Sequence, residues 1–164
     1  MTSTAAIVAE LCRRGWTLAV AESLTGGALA AELVTVPGVS SVLTGGVVAY
    51  STALKRDVVG VDARLLARVG AVHPDVAAQL AERVRTALAV DGRAADVGVA
   101  TTGVAGPDPQ DGHEPGTVFI AVATPASTVV KELRLTGDRG AIRRASVSES
   151  LALLERSLDR GTGE

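Results

Sequence analysis

Two rhythms of apolar residues run through this chain. The first has the period of an amphipathic helix. Ile7, Val8 and Leu11 share a face of residues 3–14, where Ser3 or Thr4 can cap and Gly15 supplies the stop. Val76, Leu80, Val84 and Leu88 return every fourth position in "HPDVAAQLAERVRTALAV". Ile142, Val147, Leu151, Leu154 and Leu158 fall largely on one face of a last helix. Shorter helices are predicted over residues 26–35, in "TALKRDVVG", and in "DARLLARVG" behind Asp62 as cap. The second rhythm is the short apolar run. "TLAVA" (17–21), "GGVVAY" (45–50) and "DVGVAT" (96–101) predict strands. "TVFIAVAT" (117–124) and "TVVKELRL" (128–135) predict a hairpin about "PAS".

Runs that are continuous rather than alternating mark strands covered on both faces. Interleaved with helices, they predict an α/β fold: a three-layer α/β/α sandwich with a central sheet that is mostly parallel and made mixed by the hairpin. No repeat, low-complexity tract or linker interrupts the pattern, so one domain over residues 1–164 is expected.

Composition sharpens this picture. Hydrophobic residues are 47% of 164, which excludes a disordered chain, while aromatics are only 2%. The core is therefore built from Val, Leu, Ile and Ala, and Trp16, Tyr50 and Phe119 are the few rings able to stack on a ligand. A net charge of -2 with both signs dispersed gives neither the basic stripe of a nucleic-acid binder nor a polybasic membrane anchor. Cys12 is the one cysteine, so there is no internal disulfide and no cysteine-rich metal cluster. The N-terminus lacks a basic n-region, and no run approaches the ~18 apolar residues of a membrane span. A cytoplasmic protein without nucleic-acid or membrane partners is expected.

Candidate chemistry lies where local rules are broken. "AESLTGG" (21–27) sends a strand through a small-residue turn into a helix. Ser23 there is either an exposed nucleophile or a helix cap, and the glycines either cradle a phosphate or only tighten the turn. Lys55 falls in the first turn of a helix that Ser51 or Thr52 can cap, where the helix field opposes an ammonium. Either that field and burial depress its pKa and make it a base, or it is solvated and paired with Asp57. Ser51, four residues earlier, competes with Ser23 as its partner. Arg139 follows the natural cap Asp138 in "TGDRGAIRRA", with Arg143 one turn on. They suit an anion at that helix start, or lie solvated on the surface. Tyr50 is a strand-end candidate, with its ring in the core and its hydroxyl in water as the alternative. His73, before a proline, reads as a capping or surface residue. The long loop 103–116 carries Asp108, Asp111, His113 and Glu114, but their spacing fits no metal motif.

In order and separation, "AESLTGG", "VVAYSTALK", "TGVAGP", "GTVFIA" and "TGDR" resemble the C-terminal domain of the competence-damage-inducible CinA proteins. The resemblance runs from about residue 5 to residue 158. That family includes stand-alone nicotinamide-nucleotide amidases. The resemblance implies hydrolysis of the carboxamide of nicotinamide mononucleotide to nicotinate mononucleotide and ammonia. It implies no metal and no cofactor, and a homodimer or higher homo-oligomer. Matched residue by residue, it places the nucleophile on Ser23, the lysine base on Lys55, the nearby tyrosine on Tyr50, the hydroxyl before the glycine of "GVAGP" on Thr102, and the arginine of "TGDR" on Arg139.

Around that core, Gly26, Gly27, Gly38, Gly103 and Arg143 are further candidates for the substrate site, with amides near Ser23 and in the Gly38 loop as oxyanion donors. Thr102 would orient Ser23 or the carboxamide, and Arg139 would take an anionic part of the substrate. Two departures from the family pattern stand out. Leu24 replaces a common cysteine, and "GPDPQDGHEPG" replaces a loop with a glycine pair and a lysine, putting Glu114 near the lysine's place. The family's larger N-terminal domain has no counterpart here, so its separate activities are not expected.

Overall fold

A computed structural model describes residues 3–159. Five strands, β1 (Leu18–Glu22), β2 (Leu43–Val48), β3 (Val97–Gly103), β4 (Thr117–Ala123) and β5 (Thr128–Arg134), form one sheet in the order β2-β1-β3-β4-β5. β1 pairs in parallel with β2 and β3, and β4 pairs antiparallel with β3 and β5. Four strands thus run one way and β4 alone runs against them, giving the mixed sheet of the expected α/β sandwich.

Helices α1 (Thr4–Arg14) and α2 (Ala28–Val34) share one face with the long C-terminal α6 (Arg139–Asp159). The other face carries α3 (Thr52–Leu54) with the π-turn Lys55–Val59, then α4 (Ala63–Val69) and α5 (Pro74–Ala87). Strand alternation sorts the core between the two faces. Leu18, Val20, Val99 and Ile120 meet Leu11, Leu29 and Leu154. Ala19, Ala21, Ala100 and Ala121 meet Val76, Leu80 and Val84. The small residues on this second face let α5 approach closely. At Gly98, a Cβ would stand 1.8 Å from the Ala81 carbonyl oxygen, so only glycine fits.

Most element ends agree with the local signals. Ser3 caps α1, Gly15 ends it in the left-handed region, Asp62 caps α4 and the His73 ring caps α5. Three differences have physical causes. α2 starts at Ala28, because Gly26 and Gly27 hold φ of +60° and +96°. β2 stops at Val48, and the carbonyls of Ala49 and Tyr50 turn instead to the Lys55 ammonium position. In α6, Val147 is only partly buried, while Ser146 and Ser150 are fully buried and donate back to Ile142 and Ser146 carbonyls.

Candidate active site

Ser23 emerges from the C-terminal end of β1, and its turn is tied down from several directions. The Glu22 carboxylate, 2% exposed, accepts the backbone N–H groups of Gly27, Leu29 and Ala30 at 3.1, 3.0 and 2.8 Å. Ser23 N–H donates to Thr101 Oγ1 at 3.3 Å, and that hydroxyl shares a 2.9 Å hydrogen bond with Thr25 Oγ1. Gly26 N–H closes onto the Ser23 carbonyl at 3.0 Å. From α6, Arg143 donates to the Leu24 and Thr25 carbonyls, both at 2.9 Å. Ser23 itself makes no helix cap; Glu22 does that work, so the acid of "AESLTGG" explains the helix start.

Lys55 comes from the other side of the cleft. Ser51 caps its helix by accepting the Leu54 N–H at 3.2 Å, which commits Ser51 to structure. The Lys55 side chain runs inward and is 1% exposed. Its Nζ stands 3.0 Å from Ser23 Oγ, 2.8 Å from the Ala49 carbonyl and 3.2 Å from the Tyr50 carbonyl. Burial lowers its pKa to about 8, against the pull of the nearby Asp111 charge. The solvated alternative is thereby corrected: Asp57 pairs with Arg56 at 2.6 Å, and the hydrogen-bond partners of Lys55 are all neutral oxygens. A neutral amine has two N–H bonds and one lone pair. The two carbonyls take the hydrogens, and the lone pair is left facing the Ser23 hydroxyl.

These groups open into a cleft of about 290 Å³, lined also by Tyr50, Ala71, Thr102, Gly103, the segment 104–110 and Arg139. That volume is just below the ~300–1,000 Å³ common for small-molecule sites. Arg139, at the start of α6 behind the Asp138 cap, donates to the Gly106 carbonyl at 2.6 Å and to Tyr50 Oη at 2.9 Å. Tyr50 is 57% exposed, so its ring lies on the cleft rim and not in the core. Gly103 lines the cleft where β3 meets β4; a Cβ there would stand 2.7 Å from the Thr117 carbonyl oxygen.

Other expected residues lie elsewhere. The Thr102 hydroxyl donates to the Ala71 carbonyl at 2.7 Å and makes no bond to Ser23; the neighbouring Thr101, on the opposite side of the strand, does. Gly38 sits in the loop before β2, at the end of the sheet where β1 and β2 begin, opposite to Ser23. Gly26 and Gly27 are outside the cleft lining, and their N–H groups are spent on Ser23 O and Glu22. Arg143 likewise misses the cleft and grips the turn from behind. Glu22 and Thr101 were missed by sequence reasoning; a strand-terminal acid before a turn lacking its own cap was the available signal.

The loop 103–116 forms one wall of the cleft. Pro107, Asp108, Pro109 and Gln110 line it, and Asp111 accepts the Ala71 N–H at 3.0 Å. Together with Thr102, Asp111 thus clamps both polar groups of Ala71. His113 stands edge-on to Phe119, with ring centroids 6.2 Å apart. Among the described residues, no three His, Cys, Asp or Glu side chains are grouped to hold a metal. No helix there is long and apolar enough to cross a membrane.

Fold and cleft define a class: a three-layer α/β protein with a serine and a buried lysine paired beside strand ends. The chain belongs to the CinA C-terminal domain family, whose model matches residues 1–158. It is 47% identical over 152 residues to a CinA-like protein of Frankia casuarinae, covering 93% of this chain and 34% of that protein. It is 48% identical over 135 residues to a putative competence-damage inducible protein of Geobacillus kaustophilus, covering 82% and 31%. The chain therefore spans about a third of the length of these relatives. Among solved structures, a CinA superfamily protein from Klebsiella pneumoniae superimposes with a TM-score of 0.88 at 33% identity, covering 96% of each chain.

Proposed function

We propose that this chain hydrolyses the carboxamide of nicotinamide mononucleotide to nicotinate mononucleotide and ammonia. The observation that carries the reading is the 3.0 Å approach of a buried Lys55 amine to Ser23 Oγ. Serine needs a base to attack an amide, and ammonia leaves only when its nitrogen is protonated. Neutral Lys55 takes the Ser23 proton as Oγ attacks the carbonyl carbon. It then returns that proton to the departing nitrogen, leaving an acyl-enzyme that water hydrolyses in the same manner. The cationic pyridinium ring draws electrons from the carbonyl and disfavours an ammonium on Lys55, so substrate and burial act in the same direction. Arg139, held at the rim by Gly106 and Tyr50, would meet the phosphate with its remaining N–H donors. The same proposal includes a cytoplasmic location, which cell fractionation tests, and a homodimer or higher homo-oligomer, which light scattering tests.

The deciding assay is incubation of the purified chain with nicotinamide mononucleotide, measuring ammonia and product mass. Ammonia release that Ser23→Ala abolishes supports the reading. Tight binding of unreacted mononucleotide would make the chain a nucleotide-binding module instead, and neither turnover nor binding would leave a partner-binding role.

A further inference from the structure

Arg143 is the charged side chain closest in sequence to Arg139 that also faces the serine turn, yet its two hydrogen bonds among the described residues go to backbone carbonyls. Its Nε donates to Leu24 O and its Nη2 to Thr25 O, the two carbonyls that follow the serine. Gly26 lies against it: a Cβ there would be 3.5 Å from Arg143 Nη2, an ordinary contact. On the near side, the Ser23 carbonyl accepts the Gly26 N–H. A trans peptide is planar, with its N–H opposed to its C=O. The peptide joining Ser23 to Leu24 therefore turns its N–H away from the interior of the turn. Leu24 lines the cleft beside Ser23, and no acceptor among the described residues takes its N–H.

We propose that the Leu24 N–H is an oxyanion donor to the intermediate formed on Ser23, and that Arg143 is a positioning residue that holds it there. This rests on the serine–lysine reading of the site. When Oγ attacks, the carbonyl π electrons move onto oxygen, and a fixed N–H beside the nucleophile meets that charge without reorganising. Arg143 acts from the adjoining peptides: the Leu24 N–H shares its plane with the Ser23 carbonyl, which the Gly26 N–H holds, while the guanidinium fixes the next two planes through the Leu24 and Thr25 carbonyls, and Thr101 and Glu22 fix the turn at its other groups. Arg143 is thereby removed from phosphate binding, which falls to Arg139.

The test compares Arg143→Met and Arg143→Lys with wild type on nicotinamide mononucleotide and on nicotinamide riboside, which lacks the phosphate. Arg143→Met should lower kcat about 10- to 100-fold, a part of the 10²–10³ lost with a whole oxyanion donor, with KM nearly unchanged. The loss should be the same on both substrates, Arg143→Lys should be intermediate, and added guanidinium should restore part of the Arg143→Met rate. A rise in KM confined to the phosphorylated substrate would make Arg143 a phosphate ligand and overturn the inference. Labelling of Ser23 by a fluorophosphonate, which needs the same donor but no pyridine nucleotide, separates the two claims. If wild type takes the probe but releases no ammonia, the amidase reading fails while slower labelling of Arg143→Met still supports the positioning role. Equal labelling of wild type and both variants overturns it, and a wild type that neither turns over nor labels overturns both.

Discussion

Lys55 Nζ and Ser23 Oγ, 32 residues apart in sequence, stand 3.0 Å from each other, with two backbone carbonyls occupying the amine's other positions. The contact is buried, and its direction of proton transfer depends on whether Lys55 is charged. At pH 7, a pKa of about 8 leaves about a tenth of the molecules with the neutral amine.

Activity should therefore rise with pH. The base is competent only when deprotonated, so kcat/KM should climb about tenfold per pH unit below 8 and level off above it. The profile of ammonia release between pH 6 and 9.5 checks this. A profile flat across that range, with chemistry rate-limiting, would remove Lys55 from the role of base.

Stability carries the same signature. The folded pKa of Lys55 lies near 8 and its ordinary value is 10.5, so between these the unfolded chain binds the extra proton. Stability should thus rise with pH across that window, and the full handicap is present below pH 8. Relative to Lys55→Met, in which no such group titrates, wild type should gain up to about 3 kcal/mol between pH 7.5 and 10.5. Denaturant unfolding of the two proteins at several pH values measures the difference, in which other titrating groups cancel.

Arg139 should behave as a ligand of the substrate's anion. Arg139→Met should raise KM for nicotinamide mononucleotide about 10- to 100-fold, the worth of a hydrogen bond to a charged group. It should change the riboside reaction far less. Steady-state kinetics on the two substrates decide it; equal losses on both would reassign Arg139 to holding the Gly106 and Tyr50 rim.

The two neighbouring threonines should separate. Thr101→Val removes the oxygen that accepts the Ser23 N–H and pairs with the Thr25 hydroxyl, in a fully buried place. It should cost about 1–3 kcal/mol of stability and lower kcat. Thr102→Val should lower kcat less, because its hydroxyl reaches only the Ala71 carbonyl. Thermal melts and kinetics of both variants check the ordering, and the reverse order would return the serine contact to Thr102.

Much of this protein is legible in its sequence because the deciding forces are local. The helical period of Ile7, Val8 and Leu11, the caps at Ser3 and Asp62, and the hairpin about "PAS" each follow from a few consecutive residues. Ser23, Lys55 and Arg139 were singled out by residues placed against their helix signals and by the order of motifs. The interior of the turn was not legible. Whether Thr101 or Thr102 meets Ser23 depends on which face of the sheet each β3 side chain takes, and one residue of register reverses it.

Tertiary structure alone decided the rest, since it brings distant carbonyls and charges to one place. Gly38 proved to sit at the far end of the sheet because β1 and β2 run parallel, so the connection that leaves β1 at the serine must cross back to the opposite end before β2 begins. Arg143 proved to face the backbone of the serine turn because α6 crosses behind it. The sequence determined that a lysine and an arginine stand against their helix signals, and the order of motifs set Ser23 beside them. Packing determined that the lysine is buried against the serine hydroxyl and two carbonyls, and desolvation there lowers its pKa to about 8.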